Sequence, residues 1–464
     1  MNASFHRFQV WLAMMLVAAL VFSDVPFSAR ADDEDVCVII DTDSPLTDGF
    51  CDDQAIVRLV AGADIEAVNS NFATQTIDDI AGQQAFLLAL PQGSDEAAVA
   101  GQLRADNRVA WAELNFIDQA PEGRPQRFFL RGDTRPRPGS LNQAYAPALM
   151  GVAAPGVCGI GAGVSIAILD SGYDNSHPAF ANTQVRGAWD AFTNQDGAGN
   201  VDDIGNGEDD DADEIIDEMT GHGTHVMGIV SQIAPGATIV PIRALNSDGI
   251  GQAFYLARAI YRAVDENADI INLSLGSTEN SRVVREATAD TIDAGAFVVA
   301  AAGNNGGSEP REFPGTQERV FGVAATDAQD RPAEFTSTHP NVALSAPGDA
   351  IVSAFALDQP PAQPLGSAYA LWSGTSMSTP WVSGAAALLL AQNPSWTAND
   401  VALQLIRTAA PINGQAAGMG SGRLDVGAAV GCSAVDEQPG VDEPEKKDKK
   451  KKKNKKGKKG KNRR

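Results

Sequence analysis

Lysine is absent from the first 445 residues of this 464-residue chain; all twelve lie at or after Lys446. Residues 446–464 set twelve Lys and two Arg against Asp448, a net of +13, whereas residues 1–445 set 21 Arg against 58 acids, a net of −37. So acidic a body carries no basic face for nucleic acid, and any polyanion would have to be met by the tail. Runs of about 18 consecutive apolar residues are also missing, which argues against a membrane-spanning helix. Histidine is scarce at five residues, with His6 near the N-terminus, so few imidazoles remain for chemistry. Cysteine is limited to positions 37, 51, 158 and 432, an even number that suits an oxidising compartment. Four cysteines leave three connectivities open. The favoured pairing is Cys37 with Cys51 and Cys158 with Cys432, the second joining the two ends of the main domain. Gly 45 and Pro 25 are too few for a collagen-like chain, and 44% apolar residues leave ample material for a core.

The beginning of the chain has the form of a secretory signal. Arg7 precedes the apolar stretch Val10–Phe22, and Ala29-Arg30-Ala31 offers a cleavage site near residue 31. Residues 32–117 alternate short apolar runs with acidic helical stretches, as in Ala85–Leu90, Glu96–Leu103 and Val109–Leu114, and predict a small α+β unit. Residues 118–140 mix Pro121, Pro125, Pro136 and Pro138 with five arginines and predict an exposed linker. From 141 to 432, apolar runs at Val164–Leu169, Ile239–Arg243, Ile270–Leu275, Phe297–Ala302 and Val320–Val323 alternate with amphipathic helices. Strands apolar on both faces and separated by helices predict a three-layer α/β domain with a mainly parallel sheet. Residues 433–464 are acidic, then polybasic, without apolar periodicity, and predict a disordered tail.

Three segments of the α/β region each carry a group that acyl transfer needs. Val164–Leu169 leads into Asp170-Ser-Gly172, placing a carboxylate at a strand end where it could orient an imidazole. Gly221-His-Gly-Thr-His225 opens a helix with His222 near its start. Gly374-Thr-Ser-Met-Ser-Thr-Pro380 places Ser376 at the N-terminus of an apolar helix, where backbone amides favour a developing anion.

With Asp170, His222 and Ser376 in that order, the chain resembles the subtilisin-like serine proteases, or subtilases, over residues 141–432. The resemblance extends to Ala301-Ala-Gly-Asn304, where Asn304 would donate to the oxyanion. It also covers Ser274, Leu275 and Gly276, the segment that pairs with substrate backbone beside the primary specificity pocket. Gly249 and Gly251 would lie on the opposing edge, and His177-Pro178 follows the Asp segment as in the family. It implies a serine endopeptidase in which Ser376 attacks the scissile carbonyl, His222 shuttles the proton and Asp170 fixes the imidazole. No cofactor is implied for the chemistry. Peptides or proteins would be the substrates, and the unit at 32–117 would be a propeptide that inhibits in cis until removed between Asn115 and Ser140. A lipase-like reading is disfavoured, since Ser376 lacks a Gly-x-Ser-x-Gly setting and the triad order differs. A secreted binding protein on the same scaffold is the competing function, and the complete triad speaks against it.

Ser378, Trp381 and Ser383 depart from the family's usual Ala, His and Ala, which predicts altered packing at the start of the Ser376 helix. The stretch Asp196–Glu218 carries eleven acids and no base. Asp196, Asn200, Asp202, Asp203, Asp209 and Asp211 form a candidate calcium cage there, with a solvated acidic loop as the alternative. Residues 141–432 set 11 Arg against 32 acids, a field that favours cationic substrates. The residue preferred on the acyl side does not follow from the motifs. The tail suggests contact with an anionic envelope surface, or a solubilising role.

Overall fold

The computed structural model describes residues 49–123, 137–152, 158–210, 215–356, 368–414 and 416–432. The expected signal, Cys37, most of the Pro/Arg-rich linker, Asp211 and the tail after 432 lie outside the described residues.

The N-terminal unit runs β1 (Phe50–Leu59), α1 (Ile65–Phe72), β2 (Gln75–Ile80), β3 (Ala85–Ala89), α2 (Glu96–Ala105) and β4 (Val109–Gln119). The central β1 pairs antiparallel with β3 on one side and β4 on the other, and β2 lies outside β3. Both helices have an Asp cap, Asp64 and Asp95, accepting from backbone N–H groups of the first turn. The unit has its own small core around Val57, Val68, Leu88 and Leu103.

The main domain continues with β5 (Arg137–Pro138), α3 (Ala146–Leu149), β6 (Ser165–Asp170), β7 (Gln184–Val185), β8 (Trp189–Asp190), β9 (Gln195–Asp196) and α4 (His222–Ile233). Next come β10 (Thr238–Arg243), β11 (Ile250–Gln252), α5 (Ala253–Asp265), β12 (Ile270–Leu273), α6 (Arg282–Asp293), β13 (Phe297–Ala301), β14 (Phe321–Thr326) and β15 (Val342–Pro347). The last are β16 (Ile351–Ala354), β17 (Tyr369–Trp372), α7 (Thr375–Gln392), α8 (Ala398–Thr408) and α9 (Val426–Val430). Six strands form a parallel array in the order β15-β14-β13-β12-β6-β10. The five apolar runs of the sequence are five of these strands, and helices cover both faces, as a parallel sheet requires. α7 is buried from Thr375 to Leu389 and packs on α4 and on β12 to β15. A helix apolar on all sides belongs in such a position.

Cys158 and Cys432 form the expected disulfide, with Cα atoms 5.4 Å apart. Cys51 is also disulfide-bonded, and its expected partner Cys37 lies outside the described residues. The linker begins later than the composition suggested. β4 runs through Gln119 and residues up to Gly123 are packed, because this segment enters the main domain's cleft.

Candidate active site

The strand order puts the chemistry at the carboxyl ends of the parallel strands. Asp170 is the last residue of β6, His222 the first of α4, and Asn304 follows β13 by three residues. Ser376 is the second residue of α7, whose first turn has no side-chain cap. All four are buried. Two glycines allow the close approach. A Cβ on Gly223 would lie 2.1 Å from Gly172 O, and one on Gly172, at φ +118°, would lie 2.4 Å from Val201 O. Glycine at both positions lets α4 meet the β6 turn.

Asp170 Oδ1 lies 2.6 Å from His222 Nδ1 and also accepts from Ser171 N at 2.8 Å. That contact fixes the ring, and Trp372 packs edge-on against it with centroids 5.3 Å apart. Asn304 Oδ1 accepts from Thr375 N (2.9 Å) and Thr375 Oγ1 (3.0 Å), so its amide nitrogen is aimed away from α7 and into the cleft. Beneath α7, Ser383 Oγ donates to Asn272 Oδ1 (2.9 Å), Asn272 Nδ2 to Ser274 Oγ (3.0 Å), and Ser274 Oγ to Ser376 O (2.9 Å). The Ser383 departure therefore supplies one end of a hydrogen-bonded chain that holds the Ser376 backbone. Trp381 is wholly buried.

A residue that the sequence did not single out occupies the centre of the site. Ser376 Oγ donates to Glu122 Oε2 at 2.6 Å, and Asn304 Nδ2 donates to Glu122 Oε1 at 2.9 Å. Ser376 N faces Oε1 at 3.4 Å, and His222 Nε2 lies 3.4 Å from Oε2, a charge contact at long range for a hydrogen bond. Oε1 thus takes the place where Asn304 and the α7 amide would hold an oxyanion. Gly374 leaves room for it, since a Cβ there would come within 1.5 Å of Oε1. Burial, the largest influence on His222, pulls its pKa down, but the charges and hydrogen bonds of Asp170 and Glu122 together push it up to about 10. Burial raises Glu122, yet His222, Ser376 and Asn304 hold its carboxyl below the usual range. In this state the contacts of His222 favour its protonated form, and the serine hydroxyl is directed to Glu122.

The backbone leading to Glu122 lies in the cleft as an added strand. Asp118 pairs antiparallel with Gly251 in β11. Gln119 exchanges two hydrogen bonds with Gly276, at 2.8 and 3.0 Å, and Ala120 N donates to Gly249 O at 2.8 Å. Gly276 on one side and Gly249 and Gly251 on the other therefore hold this chain, with Ser274 and Leu275 preceding Gly276 along the same segment. Upstream, Glu113 accepts from Ser281 Oγ, Arg282 N and Val283 N at the start of α6, and Asn115 Oδ1 accepts from Phe254 N at the start of α5. Neither helix has a side-chain cap of its own, so β4 caps both.

The candidate calcium ligands are not brought together. Asp203 is buried and accepts from Gly221 N, Thr224 N, Thr224 Oγ1 and Ser171 Oγ, capping α4. Burial, opposed by these bonds, raises its pKa. Asp202 accepts from Asn175, Asn200 donates to Asp196 O, and Asp196 pairs with Arg262. Among the described residues, no group of three or more His, Cys, Asp or Glu is placed to hold a metal ion. His225 is buried with Nε2 near Ile351 O and Ala370 O, and burial lowers its pKa to about 3, which fits a packing role.

Comparison with known proteins agrees with this architecture. Residues 161–455 match the model of the subtilase family, and residues 42–115 match the fervidolysin N-terminal prodomain. Thermitase of Thermoactinomyces vulgaris is 34% identical over 280 residues, covering 58% of this chain and 89% of thermitase. Subtilisin E of Bacillus subtilis (strain 168) is 32% identical over 347 residues, covering 72% of this chain and 78% of subtilisin E. Fervidolysin from Fervidobacterium pennivorans, a keratinolytic enzyme related to subtilisin, shares the fold with a TM-score of 0.65 at 20% identity; the match covers 83% of this chain and 62% of that one. This chain belongs to the subtilase family and is a subtilisin-like serine endopeptidase preceded by a prodomain.

Proposed function

We propose that the protein is an exported endopeptidase made as a self-inhibited zymogen, with Asp170, His222 and Ser376 as its triad. When Glu122 withdraws, Ser376 Oγ attacks the scissile carbonyl and His222 Nε2 takes the proton, then delivers it to the leaving amine. A water deprotonated by His222 next releases the acyl group and restores Ser376. Asp170 stabilises the imidazolium through Nδ1. Asn304 Nδ2 and the Ser376 N–H hold the oxyanion. The observation that carries this reading is the convergence of Ser376 Oγ, Ser376 N, Asn304 Nδ2 and His222 Nε2 on one carboxylate.

Substrate would lie along Gly249, Gly251 and Ser274–Gly276, where residues 118–120 now lie. Because the Glu122 carboxylate takes up the Ser376 hydroxyl and the Asn304 amide, the segment inhibits while it is bound. Removal of the prodomain within the linker opens the cleft. Export rests on the sequence of residues 1–31, and the Lys-rich tail would serve attachment to an anionic envelope surface. Among the described residues, no helix is long and apolar enough to cross a membrane.

Ser376→Ala should abolish hydrolysis of a chromogenic peptide and leave a folded, unprocessed chain. Retained turnover, or a processed N-terminus identical to that of the active protein, would refute the assignment.

A further inference from the structure

The site has a second buried carboxylate, Glu312, which takes no part in the triad's proton transfers. It is wholly buried and lies between the substrate-pairing segment and the turn that carries Asn304. Two backbone hydrogen bonds, Ser277 N to Phe313 O and Phe313 N to Ser277 O (2.8 Å each), fix it beside Gly276. Glycines at 276 and 303 leave its carboxylate room. A Cβ on Gly276 would lie 2.7 Å from Glu312 Oε1, and one on Gly303 would lie 2.9 Å from Oε2. Asn305 Nδ2 lies 3.4 Å from Oε2 and orients the group. The neighbouring Arg311 directs its guanidinium to Thr316 O and over the Phe313 ring.

The chain bound in the cleft shows which substrate residue meets this carboxylate. Gln119 is paired with Gly276, Ala120 N donates to Gly249 O and Glu122 reaches Ser376, so residue 121 is the one that immediately precedes the residue at the nucleophile along the bound chain. The corresponding residue of a substrate supplies the acyl group. We infer that Glu312 is a specificity-determining residue that selects a cationic side chain, arginine above all, on the acyl side of the scissile bond. This rests on the reading of Ser376 as the nucleophile. A carboxylate in a dry pocket acts on an entering cation far more strongly than one in water, and its two oxygens match the guanidinium fork. The −21 net charge of residues 141–432 adds long-range attraction of the same sign. The sequence motifs could not reveal this, because Glu312 lies outside them and reaches the pocket only through the Ser277–Phe313 bridge.

The test uses the processed enzyme and tetrapeptide p-nitroanilides that differ only in the last residue: Arg, Lys, Leu or Glu. The Arg substrate should exceed the Leu substrate in kcat/KM by roughly 10- to 100-fold, the range of a buried charge-assisted pair. Glu312→Gln should remove most of that ratio while keeping hydrolysis of the Leu substrate. A wild-type preference for Leu, or an Arg to Leu ratio unchanged by Glu312→Gln, would overturn the inference. Labelling by a fluorophosphonate, run on both proteins, separates this from the parent reading. Loss of both labelling and all hydrolysis in the wild type would contradict the assignment of Ser376 instead.

Discussion

The prodomain and the peptidase domain are held together by different means. The peptidase domain rests on six parallel strands buried on both faces and on α7, whose first fifteen residues are buried. The prodomain has a small core of its own and meets the larger domain through an apolar face that includes Ile56, Ile80, Leu87 and Trp111, through ion pairs of Arg58 with Glu286 and Asp78 with Arg258, through edge pairing of β4 with β11, and through Glu113, Asn115 and Glu122. Parallel-sheet burial is built to persist. On the proposed reading, contacts made by one face of a small sheet, an edge strand and a few polar side chains would be given up as a unit once the linker is cut. On the proposed reading, the difference would also account for latency without a distorted triad, since Asp170 and His222 are in contact while Glu122 occupies the cleft.

Breaking the peptidase side of this comparison should have the largest effect. Asn304→Ala should lower kcat by about 10²- to 10³-fold with little change in KM, a magnitude taken from the same kind of donor removal in subtilisin, itself a member of this family. Melting temperature should be recorded beside it, because Asn304 also orients the Thr375 backbone. On the prodomain side, Glu122→Gln keeps the shape but loses the charge, and should weaken inhibition by roughly 10- to 100-fold. Earlier onset of activity in the full chain would show it.

The pH dependence sharpens the contrast. Against burial, Asp170 first and Glu122 after it hold His222 up at about 10, so the part of the shift owed to Glu122 favours prodomain binding at low and neutral pH and is lost as pH rises towards 10. Glu122 itself is held low, so its contribution is present above the ordinary carboxylate value and is lost as pH falls through its depressed one. The cleaved prodomain should therefore stay bound most firmly from weakly acidic to neutral pH and be released as pH rises towards 10 or falls into the acid range, as gel filtration of the processed mixture would report. The smallest effect belongs to the caps. Glu113→Gln should weaken prodomain retention by about a few-fold, since Ser281 Oγ and Val283 N keep the amide oxygen as acceptor and only Arg282 N loses its partner.

Legibility in the sequence followed the same division. The strands β6, β10, β12, β13 and β14 were readable because burial on both faces makes them continuous apolar runs. Asp170, His222, Ser376 and Asn304, which the structure brings around Glu122, stood out because each sits in a short segment whose glycines are required by close approaches. β15 was missed, its apolar run being broken by Ser345 and Pro347. Glu122 and Glu312 were missed for another reason. Each is an ordinary glutamate in sequence, and each gains its role from a long-range pairing, Gln119 with Gly276 and Ser277 with Phe313. Asp203 was taken for a metal ligand because an acidic, Gly-rich loop has the same composition whether it wraps an ion or caps a helix.

Fluorophosphonate labelling with mapping of the modified residue, performed on the full-length chain and on the processed protein, tests the account most directly. The account predicts that Ser376 is labelled rapidly after processing and scarcely before it, because Glu122 occupies the oxyanion position in the intact chain. Labelling at another residue, or equal labelling of Ser376 in both forms, would contradict it.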